Sequence, residues 1–344
     1  MKALAYNPNL SESSFLELIE VEKPQLTENN AIVKVTGVGV CGSDLLKLDR
    51  ALVKAGTILG HEMVGVIDQI SPEMSKQYGF KAGDRILSSH HVPCLECDYC
   101  KRGKESLCTQ FKSTNFKPGA FCEYLELSEA HLKATVQKVP DHLSDEVASF
   151  TEPIACCLKA VRGTVIARSE TTKQPSQKIL VIGLGSIGLI MGQTAKHFSP
   201  ESHLTGLDLN ETRFEPAQNL GFDELKSSLQ SEAYDLIFLC AGADATVELA
   251  TKHARNGATI VVFSSTPGET QFMNNDIYYK ELRVMASYSP NLEDLREALE
   301  LLSEHKVKVD QLITHRAKLD KLGQTINLCR KEAGIKSYFA PNIG

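Results

Sequence analysis

Gly183-Leu-Gly185-Ser-Ile-Gly188 stands between a short apolar run, 178–182, and a longer stretch with helical spacing, 186 to about 198. Three glycines at this spacing, between a strand and a helix, leave few folds open. The first permits a tight turn, the second lets a diphosphate approach the backbone, and the third lets the helix pack close to the strand. Ser186 and Ile187 complete the loop and open the helix, whose N-terminus offers N–H groups and a partial positive charge to an anion. Strand-like runs at 204–207, 235–240 and 259–263 alternate with helical ones such as 211–220. That alternation predicts a doubly wound parallel sheet, a Rossmann arrangement. Asp208 lies twenty residues after Gly188, at the end of the second strand. A carboxylate there accepts hydrogen bonds from ribose hydroxyls and repels the extra phosphate of NADP, so the cofactor expected is NAD. Arg213, five residues on, is the group that would soften that preference. The plain alternative is that these glycines only turn the chain and Asp208 only caps the next helix.

The first 150 residues have another texture. Ile32, Val33, Val35 and Val38 form one β-branched run and 63–70 another, with glycines at 37, 39, 42, 60, 65, 79 and 83 between and around them. The pattern predicts an all-β domain of short strands. Within it, Cys94, Cys97, Cys100 and Cys108 are separated by two, two and seven residues. Glu96, Asp98, Lys101, Arg102, Lys104 and Glu105 lie among them, so the stretch is no core segment. Four sulfurs on one short loop can close a tetrahedron around a zinc ion, and a site with no open position is structural.

The formal net charge is −6 and no long basic run occurs, which argues against nucleic acid or an anionic membrane as the partner. No apolar run approaches the roughly 20 residues that span a bilayer. The opening Met-Lys-Ala-Leu-Ala-Tyr turns polar too soon for a secretory signal, so the expected compartment is cytoplasmic. Clustered thiols in a reducing compartment read as metal ligands rather than disulfides. Cys122, Cys156, Cys157, Cys240 and Cys329 read as small packing residues.

A second metal site needs residues from several places. Cys41 lies in Gly39-Val-Cys41-Gly-Ser43-Asp44 and His61 in Leu59-Gly-His61-Glu62. Each alone is an ordinary buried residue. Together with a carboxylate they suit zinc and leave a fourth position for water or substrate. Two carboxylates are candidates: Glu62, beside His61, and Glu152, in Phe150-Thr-Glu152-Pro153. The residues alone leave both open.

With the Cys41-Gly-Ser-Asp44 turn, Gly60-His61-Glu62, the four-cysteine lobe, Glu152-Pro153, the glycine loop, Tyr279-Lys-Glu281 and Ser287-Tyr288, the chain resembles the zinc-dependent medium-chain alcohol dehydrogenases. The nearest branch is that of the polyol (sorbitol-like) and threonine dehydrogenases, and the resemblance runs over nearly the whole chain. It implies a GroES-like β domain over 1–152 with a structural zinc lobe at 90–110, a Rossmann NAD-binding domain over 153–290, and a segment 291–344 returning to the first domain. It implies an active site between the domains, two zinc ions per chain (one catalytic, one structural) and NAD. It also implies a homodimer or homotetramer acting on a secondary alcohol: a polyol, sugar derivative or amino alcohol. The residues matching Cys41 and His61 hold the catalytic zinc, and those matching Glu62 and Glu152 lie at or near it, either one completing the shell, with Glu62 ahead. Asp44 matches the carboxylate that orients the histidine; its alternative role is that of a turn residue. Ser43 matches the hydroxyl that touches the substrate alcohol and takes its proton.

Two departures stand out. The family often has a proton-passing histidine two residues after the motif aspartate; here that position is Leu46, preceded by Leu45. Lys47, His90 and His91 are the stand-ins nearest in sequence. A polar segment, 168–177, lengthens the approach to the glycine loop and reads as a linker or insertion. Lys47, Arg50 and Lys54 lie between the Cys41 and His61 motifs and read either as a solvated charged loop or as contacts to a phosphorylated sugar. Two other functions share these features. A zinc-free NAD(P)H reductase of the same fold has no use for the Cys41–His61 pair. A non-enzymatic NAD-binding protein would keep only the structural zinc.

Overall fold

The computed structural model describes residues 1–10, 14–164, 166, 176–265 and 272–341, which divide into two compact units. Residues 168–175 of the polar segment lie outside the described residues.

The first unit comprises Met1–Glu152, Asn291–Ser303 and Val309–Gly344. Its main sheet runs in the order Ile313–Ala317, Lys336–Phe339, Asn30–Gly39, Glu62–Ile70, Arg85–Ser88, Gln137–Lys138, and Tyr124–Ser128 also pairs with Asn30–Gly39. The central strand Asn30–Gly39 is buried along nearly its whole length, which is why it is rich in β-branched residues rather than alternating. Val33, Val35, Ile67, Phe121, Leu125 and Phe339 share its core. Helix Leu292–Ser303 belongs to this unit; Leu292, Leu295, Ala298, Leu299 and Leu302 fall at helical spacing and are buried.

This unit is less purely β than its glycine-punctuated sequence suggests. Short helices, among them Gly42–Asp49, Pro72–Tyr78 and Glu129–Ala134, interrupt the strands. Helices of two turns or fewer leave too little periodicity to read. Two strands near the C-terminus, Ile313–Ala317 and Lys336–Phe339, carry the sequences ITHRA and KSYF, with no apolar alternation to announce them. Between them lie a 3₁₀ turn, Leu319–Lys321, and helix Leu322–Lys331.

The second unit comprises Pro153–Pro290 and Glu304–Lys308. Its six strands are all parallel, in the order Glu224–Lys226, His203–Leu207, Lys178–Ile182, Tyr234–Leu239, Ala254–Val262, Arg283–Ala286. The strand and helix read at 178–182 and 186–198 are Lys178–Ile182 and Ser186–Phe198. The helix read at 211–220 is a 3₁₀ turn, Glu211–Arg213, then helix Phe214–Asn219 with Pro216 in its first turn, where the missing N–H costs nothing. The strand read from 259 begins at Ala254, because the exposed Arg255, Asn256 and Gly257 that follow carry no apolar signal.

Candidate active site

Three residues from two elements meet in the first unit. Cys41 caps the N-terminus of helix Gly42–Asp49, while His61 and Glu62 stand where the chain enters strand Glu62–Ile70. One ligand atom from each of Cys41, His61 and Glu62 lies within 4.8 Å of the other two. The strand register explains the meeting. Gly39 pairs with Glu62, so the turn after Gly39 delivers Cys41 beside the start of the neighbouring strand.

Their supports are local and specific. Asp44, 1% exposed, places Oδ1 3.2 Å from His61 Nδ1, which leaves Nε2 as the nitrogen free to bind a cation. Burial alone would raise the Asp44 carboxyl, but the His61 ring outweighs it and holds it below its ordinary value. Burial likewise pulls His61 down, yet Asp44 and the Cys41 sulfur hold it well above the ordinary 6.5. Three polar groups this close therefore stabilise positive charge among them, as a cation site does. Ser43 is exposed on the same helix, and its hydroxyl lies 3.3 Å from Cys41 Sγ.

Glu62 carries the clearest sign of a missing partner. Both residues of its ion pair are buried: Lys336 Nζ sits 2.5 Å from Oε2, with side chains 2% and 0% exposed. Glu62 Oε1 has no hydrogen-bond partner among the described residues. An orphaned buried carboxylate oxygen is costly unless a cation takes it. A Cβ on Gly39 would fall 2.1 Å from Glu62 Oε2 and 2.8 Å from Lys336 Cε, so only glycine lets the pair form there. Lys336 also lies within 3.4 Å of the Val40 carbonyl and 5.2 Å from the centre of the Phe150 ring. Nothing in the local sequence marks Lys336. Only the pairing of the C-terminal strand with Asn30–Gly39 brings it to Glu62.

Glu152 does not join the three-residue group, but it lines a cavity of about 10 Å³ together with Glu62 and Ser88. Of the stand-ins for the relay histidine, His90 packs against His61, with ring centres 4.7 Å apart and the rings tilted by 41°. Burial, with His61 beside it, keeps His90 well below the ordinary 6.5, and therefore neutral. His91 Nδ1 is 2.7 Å from the Thr114 carbonyl. Lys47 is half-buried on the Ser43 helix.

The four lobe cysteines also converge. Cys94 Sγ and Cys97 Sγ lie 3.9 and 3.6 Å from Cys100 Sγ. Zn–S bonds of about 2.3 Å give a tetrahedral edge of about 3.8 Å, so the spacing fits a zinc ion. Backbone N–H groups already point at the sulfurs: Cys97 N lies 3.3 Å from Cys94 Sγ, and Cys94 N lies 3.4 Å from Cys108 Sγ. Burial and the neighbouring sulfurs push Cys100 up to about 12. Burial also acts against Cys108, but the donors around it bring it down to about 6. Only a bound cation lets all four ionise together. All ten cysteines are free thiols, and Cys156 and Cys240 are half-buried while Cys122, Cys157 and Cys329 are buried.

In the second unit, Gly183 has φ +95°, and a Cβ there would fall 2.7 Å from the Ala241 Cβ. A Cβ on Gly188 would fall 1.8 Å from the Gly183 carbonyl oxygen. Around Gly185, by contrast, nothing lies within 4 Å of the Cβ position, which leaves an open approach at the N-cap of helix Ser186–Phe198. That open cradle fits a diphosphate. Asp208 is held in place on both oxygens: Oδ2 accepts from Leu184 N at 2.7 Å and Arg213 Nη1 at 3.0 Å, and Oδ1 from Asn210 N at 2.8 Å. Arg213 therefore sits on the carboxylate it was expected to modulate. With the adenosine ribose expected at Asp208, Asp208→Ala should raise the KM for NAD about tenfold and let NADP gain relative to NAD, since a charge-assisted bond and a repulsion would go together. Initial rates with both dinucleotides check this.

Residues 27–141 match the alcohol dehydrogenase GroES-like domain, and residues 186–304 match the zinc-binding dehydrogenase domain. The chain is 30% identical to the sorbitol dehydrogenase of Halalkalibacterium halodurans, over 93% of this chain and 94% of that protein. It is 25% identical to the L-threonine 3-dehydrogenase of Chromobacterium violaceum, over 94% and 95%. Among solved structures, the alcohol dehydrogenase of Thermus sp. ATN1 superposes with a TM-score of 0.84 at 23% identity, covering 99% of both chains, which shows a shared fold. By these matches the chain belongs to the zinc-type medium-chain alcohol dehydrogenases, in the branch of the polyol and threonine dehydrogenases.

Proposed function

We infer that this protein is a zinc-dependent oxidoreductase that transfers a hydride from a secondary alcohol to NAD. The observation that carries this reading is the meeting of Cys41, His61 and Glu62, with an unpartnered buried oxygen on Glu62. A purely structural zinc protein would not need them, and neither would a zinc-free reductase. When bound, zinc supplies a Lewis acid that makes an alcohol acidic near neutral pH, and the nicotinamide supplies the hydride acceptor.

The remaining work falls to the protein's own side chains. Cys41, His61 and Glu62 hold the metal, and Asp44 fixes the His61 tautomer and ring plane from Nδ1. Lys336 fixes one oxygen of Glu62 and leaves the other for the metal. Glu152, lining the same small cavity as Glu62, is the reserve carboxylate. Ser43, exposed and beside Cys41, receives the alcohol proton. With Leu46 in place of a relay histidine, that proton passes from Ser43 to water. Gly183, Gly185, Ser186, Ile187 and Gly188 cradle the dinucleotide diphosphate, and Asp208 takes the adenosine ribose.

A homo-oligomer is part of the same proposal. Strand Arg283–Ala286 ends the parallel sheet; its Val284 is 39% exposed, and Tyr278 and Tyr279, at the end of the preceding helix Asn274–Tyr279, are 72% and 76% exposed. An open edge flanked by exposed aromatic side chains favours pairing with a second copy. Among the described residues no helix is long and apolar enough to cross a membrane. The free thiols support a reducing, cytoplasmic setting.

The test combines metal analysis with a panel of sorbitol, xylitol, threonine and simple secondary alcohols, followed by NADH absorbance. Zinc at both sites and NAD reduction with at least one member are expected. Zinc at the four-cysteine lobe alone, with no NAD reduction across the panel, would favour the non-enzymatic reading.

A further inference from the structure

Helix Gly42–Asp49 carries Ser43, and one turn further along the same face it carries Lys47. Residues four apart on a helix have Cβ atoms about 5–6 Å from each other. Lys47 is half-buried, yet its ammonium makes no ion pair or hydrogen bond among the described residues. The acids around the helix are already engaged. Asp44 faces His61 at 3.2 Å, Asp49 holds Arg330 through two bonds of 3.1 and 2.9 Å, and Glu62 faces Lys336. Lys47 stands close enough for its charge to act on Asp44, His90 and His91. The face of the helix that presents Ser43 thus ends in a half-buried cation that no protein anion pairs, which leaves it open to a ligand anion.

We propose that Lys47 is a substrate-binding residue for an anionic group, and that the alcohol oxidised is the phosphate monoester of a polyol, with its hydroxyl at Ser43 and its phosphate at Lys47. This rests on the dehydrogenase reading above and narrows its substrate class. The separation decides between anions. A phosphate at the far end of a hexitol lies several bonds from the reacting carbon and can span one helical turn. The carboxylate of threonine is bonded to the carbon next to the reacting one and reaches less far. The long, flexible lysine stem suits a point contact to a phosphate oxygen.

The experiment compares sorbitol, sorbitol 6-phosphate and threonine as substrates for the zinc-loaded full-length protein with NAD. Wild type, Lys47→Gln and Lys47→Arg are each checked for zinc content and circular dichroism. The expected result is a kcat/KM for sorbitol 6-phosphate at least about tenfold above that for sorbitol, set by KM and shrinking as salt is raised. The ratio of the two constants should fall about tenfold in Lys47→Gln and be kept in Lys47→Arg. An unchanged ratio in Lys47→Gln overturns the proposal, as does a preference for threonine over both hexitols. Should no alcohol be oxidised at all, the dehydrogenase reading fails first. Calorimetric titration of sorbitol 6-phosphate into the NADH-loaded protein then still decides the site: binding weakened by Lys47→Gln supports it, and indifference to that change or absence of binding overturns it.

Discussion

Cys41→Ala is expected to remove the catalytic zinc, leave the zinc of the four-cysteine lobe in place, and lower kcat/KM by about three orders of magnitude or more. Lewis-acid stabilisation of a developing alkoxide is worth several kcal/mol, and each 1.36 kcal/mol is a tenfold change in rate. The geometry says why this thiol cannot be spared. Among the described residues, the group it forms with His61 and Glu62 has no fourth protein ligand within the same 4.8 Å, so losing Cys41 leaves two ligands. Two ligands do not hold zinc against competition from water. The fold should tolerate the change, since Cys41 is half-buried and contributes only a weak sulfur cap to helix Gly42–Asp49. Circular dichroism and the thermal midpoint should move little, while metal analysis and NADH production change together. Turnover that survives with the catalytic zinc gone would show that the metal held by Cys41 is not the one that matters.

The ease of reading this site from sequence varied with how local its parts are. The glycine loop is one contiguous strand–turn–helix, so its local geometry was legible at once; Gly183 and Gly188 are where the backbone leaves no room for a Cβ. The four cysteines were legible for the same reason. Cys41 and His61 could be grouped as zinc ligands by their chemistry and by the family resemblance, but not by local sequence, because antiparallel register brings them together. Lys336 was invisible. It lies on a strand with no apolar alternation, and its pairing with Glu62 depends on a C-terminal segment folding back against the central strand. Asp208 was placed correctly at the end of its strand, but its tight contact with Arg213 was not foreseen. A cation five residues on can bear on cofactor choice, and it can also simply anchor the carboxylate, as Arg213 does.

Cys100→Ala should act in the opposite way to Cys41→Ala: lost zinc from the lobe, lost stability and impaired assembly, with hydride transfer per folded molecule close to wild type. Structural zinc sites contribute their binding free energy to folding, on the order of 10 kcal/mol in small zinc peptides. The lobe has little else to hold it. Helix Asp98–Lys101 has no buried residue and helix Thr109–Ser113 only Phe111, so the four sulfurs replace the core the segment lacks. Its collapse would be felt beyond the loop. Glu105 Oε2 accepts from Leu292 N at 2.8 Å, and the Gly103 carbonyl accepts from Asn291 Nδ2 at 3.2 Å, so the lobe caps the start of helix Leu292–Ser303. Releasing an N-terminal cap costs about 1 kcal/mol in its own right. A thermal midpoint lowered by several degrees and early proteolytic cutting between residues 94 and 113 are the expected signs, with sedimentation reporting on assembly. The site chemistry is separate, because Cys41, His61 and Glu62 stand on the sheet and its first helix rather than on the lobe. A Cys100→Ala protein with unchanged stability and assembly but no hydride transfer would mean that the lobe sulfurs take part in the reaction, and that the division between a structural and a chemical metal is wrong.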